Sequence, residues 1–263
     1  MNGWVFLVFG SLLILLVRYA SVGNEMFEDW SFTPLANRFK QPILKFNTFY
    51  QQLPEESKKL FDKKVKYFIN TKEFIARDMS NVTDEMQAMI ASAAVQLTFG
   101  LPDVSLLHFN KILIYPTDYY SVISRQYHKG EVNPRLKAIV LSWNDFVAGF
   151  VEPYDGVNLG LHEMAHALKL ENIIQNGEHH FFDLEEYMKW LELAKEEIVK
   201  IRAGEDSMFR KYASVDEDEF FAVCVEVYFE QPHKLFENNP ALYKSMSNLL
   251  NQDTIQLYGK SSG

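Results

Sequence analysis

LHEMAH at residues 161–166 lies inside VNLGLHEMAHAL, residues 157–168, and its reading decides which fold to expect. On a helix, residues four apart are separated by about 40° around the axis, so His162 and His166 project from one face, one turn apart. Two neutral imidazoles so placed form a two-point clamp suited to Zn2+. Glu163, directly after the first histidine, then points beside the ion, where a carboxylate can take a proton from water. The flanking Val157, Leu159, Leu161, Met164, Ala165 and Leu168 are apolar, so the helix is expected to be buried, where unpaired imidazoles are costly. Gly160 and Ala165 leave room for a neighbouring backbone to approach.

The surroundings strengthen the metal reading. AIVLSW at residues 138–143 reads as a strand, expected at a sheet edge where an extended peptide can pair with it and lie across the metal. Downstream, EDEFFAVCVEVYFE at residues 217–230 reads as a helix in which Glu219 and Glu226, seven apart, share a face among apolar neighbours. Buried carboxylates demand partners, and a metal is one. His179 and His180, in NGEHHFF, fit a surface loop better than a ligand set.

Around this centre the chain reads as helix-dominated α+β. A proline followed by Glu55 and Glu56 starts a helix near Leu53, with Leu60, Val65, Phe68 and Ile69 at helical spacing. Thr83 caps a second helix that Gly100 ends. KILIYP at residues 111–116 is a second strand. Residues 117–137 form a loop or hairpin excursion placed to cover the cleft. Residues 156–170, 184–203, 217–230 and 240–250 read as helices. The expected architecture is several helices and a small sheet packed near the HEMAH helix.

The chain has 263 residues, 48% of them apolar, enough for a packed core. A net charge of -9 argues against a nucleic-acid surface, which needs clustered Lys and Arg, so no direct nucleic-acid partner is expected. The single cysteine, Cys224, excludes an intramolecular disulfide and reads as helix packing. WVFLVFGSLLILLV at residues 4–17 is an uncharged apolar run. No Lys or Arg precedes it and no small-residue cleavage site follows, which favours an uncleaved anchor over a secretory signal or a buried helix. Arg18, Arg38, Lys40 and Lys45 follow it, and the positive-inside rule then mildly favours a cytoplasmic body. The expected organisation is a hydrophobic N-terminal helix at residues 1–22 as transmembrane anchor, a tether at 23–52, the domain at 53–258 and a tail at 259–263.

From about residue 53 to residue 253, the chain resembles the Mlc titration factor A family of zinc metallopeptidases, and its catalytic half is similar to the metal-binding domain of anthrax lethal factor. The resemblance is carried by LPEE (53–56), TDEM with IASAA (83–86, 90–94), ILIYP (112–116), VLSW (140–143), VNLGLHEMAHAL (157–168) and YASVDEDEFFAVCVEVYFEQP (212–232). It implies a zincin-like fold of the gluzincin type with one Zn2+ per chain. His162, His166 and Glu219 are the implied ligands and Glu163 the general base. Tyr212 is implied as an oxyanion donor and Glu226 as the partner of a ligand histidine. The implied substrate is a peptide or protein, with aminopeptidase-like cleavage, and the alternative role is capture of a transcriptional repressor with zinc chiefly structural or regulatory. The family usually has Asp where Lys169 stands, so whatever that acid orients must be handled differently here.

Overall fold

The computed structural model describes residues 33–101, 104–121, 125–174 and 181–259. The expected anchor at residues 1–22 lies outside them, as do His179 and His180. Among the described residues, no helix is long and apolar enough to cross a membrane. The body runs from Asn37, earlier than the start near Leu53 that the sequence suggests. Two short helices, α1 (Asn37–Phe46) and α2 (Thr48–Gln52), precede the helix that opens at the expected proline, α3 (Glu55–Thr71). Residues 37–52 are therefore part of the packed body rather than a tether. The reason lies in Asn47 and in the aromatics beside it. Fully buried, Asn47 caps α2 through Tyr50 N and donates from Nδ2 to Ser92 Oγ and Gln96 Oε1 on the helix α4 (Asp84–Thr98). Phe49 meets the rings of Phe61, Phe99 and Phe229 at centroid distances of 5.8–6.2 Å.

A four-stranded sheet has the order β1-β2-β6-β5, and β3 and β4 form a separate two-stranded pair. Strands β1 (Glu73–Ala76), β2 (Lys111–Tyr115) and β6 (Ala138–Ser142) run parallel, with Lys111 opposite Ala138 and Tyr115 opposite Ser142. Strand β5 (Gly130–Asn133) pairs antiparallel to β6, Gly130 opposite Leu141. The AIVLS strand is thus interior, buried along its whole length, and the sheet edge beside it belongs to β5. An unbroken apolar run is what a strand covered on both faces requires. Strands β3 (Tyr119–Ser121) and β4 (Gln126–His128) make the hairpin within the expected excursion.

Strand β6 turns into helix α5 (Trp143–Val151) at Ser142, whose hydroxyl exchanges hydrogen bonds with Asp145. Helix α6 (Leu159–Ile174) carries the HEMAH motif, and α7 (Leu184–Ala203) and α8 (Glu217–Glu230) follow. Three short helices, α9 (Pro232–Asn238), α10 (Pro240–Leu250) and α11 (Thr254–Gly259), close the chain. Helix α6 is buried on nearly every side, packed against α4, α8 and the β5 and β6 strands. A Cβ at Gly160 would lie 2.6 Å from the Phe146 ring, so that glycine allows α5 to approach. Cys224 is fully buried within α8.

Candidate metal centre

Three donor atoms converge between α6 and the first turn of α8. His162 Nε2 lies 3.1 Å from His166 Nε2 and 3.2 Å from Glu219 Oε2, and His166 Nε2 lies 3.6 Å from the same oxygen. Donors around a tetrahedral zinc at roughly 2.0–2.1 Å stand about 3.3 Å from one another, so these spacings fit the edges of such a site. Glu219 Oε2 is buried and receives no hydrogen bond among the described residues, the condition of a carboxylate oxygen reserved for a cation. The donor set itself, two imidazoles and a carboxylate, suits zinc.

The chain fixes these donors from both sides. Glu226 Oε1 lies 2.6 Å from His162 Nδ1, which commits that ring nitrogen to donating its proton and leaves Nε2 as the free lone pair. Arg210 clamps Glu226 with both guanidinium nitrogens, at 2.6 and 3.2 Å, and donates to Gly156 O. Asn158 N donates to Glu226 Oε2 at 2.6 Å, its Oδ1 accepts from Leu161 N, and its Nδ2 donates to Gly149 O and Glu230 Oε1. The start of α6 is therefore anchored on two carboxylates one turn apart on α8. Asp216 caps α8 by accepting from Asp218 N and Glu219 N, which sets the turn that carries Glu219.

Electrostatics follow from burial and crowding. Burial pushes the Glu163 carboxyl up to about 7, helped by Glu219 and Glu226 and opposed by the two histidines. Burial alone would lower His162, but with no ion bound the Glu219 and Glu226 carboxylates beside its ring raise it to about 10, so an ion taken up at Nε2 displaces a proton there. Burial also opposes ionisation of Glu219, yet His162 and His166 hold it well below the ordinary carboxylate range. Tyr212 is lifted above the usual phenol value by burial and by Glu219, so its hydroxyl keeps its proton. That tyrosine sits on a 3-10 turn, Lys211–Ser214, with its ring 6.2 Å from the His162 ring. Arg202 anchors the turn by donating to Ser214 O and Val215 O.

Two clefts, of about 420 and 380 Å³, share His128, Gly130, His162, Glu163 and Tyr212, so they meet at the centre. The hairpin contributes Tyr127 and His128 to the wall. Gly130 at the β5 edge faces Glu163 so closely that a Cβ there would lie 2.3 Å from Oε1.

The sequence-derived set, His162, Glu163, His166, Tyr212, Glu219 and Glu226, is brought together here. Arg210, Asn158, Glu230 and Gly130 were not anticipated. Asn158 had a local signal, an Asn just ahead of an apolar helical run, but placing the helix start at residue 156 hid it. Glu230 continues the stripe of Glu219 and Glu226. Arg210 and Gly130 act across the fold, and nothing local marks them.

Residues 29–250 match the glucose-regulated metallo-peptidase M90 family. The chain belongs to this family. Mlc titration factor A of Edwardsiella ictaluri is 30% identical over 209 residues, covering 72% of this chain and 77% of that protein. The Serratia proteamaculans protein of the same name is 29% identical over 197 residues, 66% of this chain and 72% of its own length. An uncharacterized protein of Synechocystis is 26% identical over 211 residues, 74% and 77% of the two chains. The M90 peptidase family thus accounts for the body of the chain, and metallopeptidase chemistry agrees with a His/His/Glu group able to hold an ion.

Proposed function

We propose that this M90 family member is a zinc peptidase of the gluzincin type, cleaving peptide bonds in the cleft between β5 and α6. The observation that carries the reading is the convergence of three donor atoms at tetrahedral-edge spacing with Glu163 beside them. His162 and His166, through Nε2, and Glu219, through Oε2, would hold the ion. When bound, zinc supplies a Lewis acid that acidifies water and polarises a peptide carbonyl.

The chain's own residues do the rest. Glu226 keeps His162 in the tautomer that presents Nε2, and Arg210 offsets the buried Glu226 charge. Glu163, buried beside the three donors, accepts a proton from water and passes it to the leaving amine. The protonated Tyr212 hydroxyl donates to the oxygen that gains charge as the carbonyl is attacked. An extended substrate would add to the unpaired side of β5, bringing its backbone past Gly130 to Glu163.

The decisive comparison is Glu163→Gln against His166→Ala, with elemental zinc content and peptide hydrolysis measured on each. Glu163→Gln keeps zinc and loses turnover by about 100-fold or more, whereas His166→Ala loses both. Wild-type turnover in Glu163→Gln sinks the reading. The name of the relatives, Mlc titration factor A, supports a second reading in which the chain captures a transcriptional regulator and zinc is structural. Glu163→Gln separates the two, because capture does not need the base.

A further inference from the structure

Lys169 stands one turn beyond His166 on α6, on the stripe that carries both histidines. Its side chain is only 8% exposed. Removing an ammonium group from water is costly, and an apolar side chain would fill the same space without that cost. The charge must therefore have a task. Lys169 Nζ lies 2.5 Å from Asp218 Oδ1, donates to Glu217 O at 3.5 Å and sits 5.8 Å from the centre of the Trp190 ring. Among the described residues these partners belong to the first turn of α8 or to the α7 helix behind it, and Asp218 immediately precedes Glu219.

That first turn is crowded with like charge. Asp216, Glu217, Asp218 and Glu219 are consecutive, and the turn's own amides and helix dipole offset only part of their repulsion. Lys195 approaches Glu217 from the solvent side at 3.6 Å, while Lys169 approaches Asp218 from within. The inner lysine thus ties the acidic turn to the same helix that carries the histidines.

We propose that Lys169 is a positioning residue that pins the first turn of α8 to α6 and so holds Glu219 at the donor triangle before any ion arrives. The inference rests on the assignment of His162, His166 and Glu219 as ligands. It gives the lysine the job of preorganisation: a carboxylate already in place loses less freedom when it takes up a metal.

The test is the zinc dissociation constant of the full chain, measured by competition with a chromophoric chelator, for wild type, Lys169→Met, Glu219→Ala and the double variant. Lys169→Met weakens zinc binding by about 10- to 100-fold, but adds little once Glu219 is alanine, because the lysine acts through that side chain. Equal losses in both backgrounds, or no loss in the first, overturn the inference. Asp218→Asn, a change on a side chain that is 64% exposed, runs the same cycle should Lys169→Met fail to fold. Unchanged affinity there overturns the inference as well. A wild-type chain that takes no zinc, or a Glu219→Ala variant that binds it normally, removes the ligand assignment and this inference with it. A loss in Glu219→Ala without one in Lys169→Met removes only the inference.

Discussion

Glu163 is nearly buried and its carboxyl lies against the backbone of Gly130. That contact makes the glycine's missing side chain a functional quantity. A methyl group at residue 130 would sit 2.3 Å from Oε1, 2.5 Å from Cδ and 2.6 Å from Cγ of Glu163, and no real Cβ tolerates such distances. The acid is the end of a flexible side chain, so it yields and the strand does not. Gly130→Ala is therefore expected to fold and to bind zinc as wild type does. Its kcat should fall by about 100-fold, because a displacement on the order of 1 Å takes the proposed base out of reach of its proton. Steady-state hydrolysis beside metal analysis checks this, and an undiminished kcat would mean that Glu163 is not the base or that the strand shifts freely. Nothing in the string GEVN announces this role, which appears only when β5 is laid against α6.

At the scale of the element, α8 presents a row of acids whose fates differ with their partners. Glu219 faces the two histidines, Glu226 faces His162 and Arg210, and Glu230 accepts from Gly156 N and Asn158 Nδ2 with no ion pair among the described residues. Burial raises Glu230 from about 4.5 to about 7, against the pull of those hydrogen bonds, with Asp155 and Glu226 adding to the rise. An acid raised in the folded state binds more protons folded than unfolded between those two values. Its contribution to stability is therefore complete below about 4.5 and is lost as pH rises to about 7. Relative to Glu230→Gln, the wild type should lose up to about 3 kcal/mol across that window, at about 1.4 kcal/mol per unit of pKa. Urea unfolding of both proteins at a series of pH values reads the difference. Parallel curves would show that Glu230 ionises as freely in the fold as in the unfolded chain. The spacing of Glu219 and Glu226 made the shared face legible in the sequence. The loop at residues 156–158 that satisfies Glu226 and Glu230 was not legible, since two of its three donors, Gly156 N and Asn158 N, are backbone amides that no side chain marks.

For the whole molecule, what could be read in advance follows the range of the forces involved. The long helices announce themselves locally, α3 through its proline start and apolar spacing and α4, α7 and α8 through the capping side chains Thr83, Asp183 and Asp216, and Thr83 accepts from Met86 N as its position implies. Strands β1 and β5, each four residues long, are defined by whom they pair with, and short segments carry too little pattern to show it. The burial of AIVLS on both faces was written in its unbroken apolar run, and it argues against an edge position. Residues 37–52 looked like a tether because Pro42 and scattered aromatics obscure any period; their docking depends on Asn47 reaching α4.

The donor triangle likewise joins parts of the chain that are distant in sequence, α6 and α8, and this has a thermodynamic consequence. An ion bound only by the folded state stabilises it, by about 4 kcal/mol when free zinc stands at 1,000 times its dissociation constant. For a chain of this size each kcal/mol moves Tm by roughly 2–4 °C, so stripping the metal should lower Tm by roughly 8–16 °C. Glu219→Ala, with only the two histidines left, should show a much smaller drop on chelation. Scanning calorimetry of both proteins, zinc-loaded and after a strong chelator, makes the comparison. A wild type that melts at the same temperature with and without its zinc would place the ion somewhere other than between these two helices, since only a site absent from the unfolded chain can report on folding.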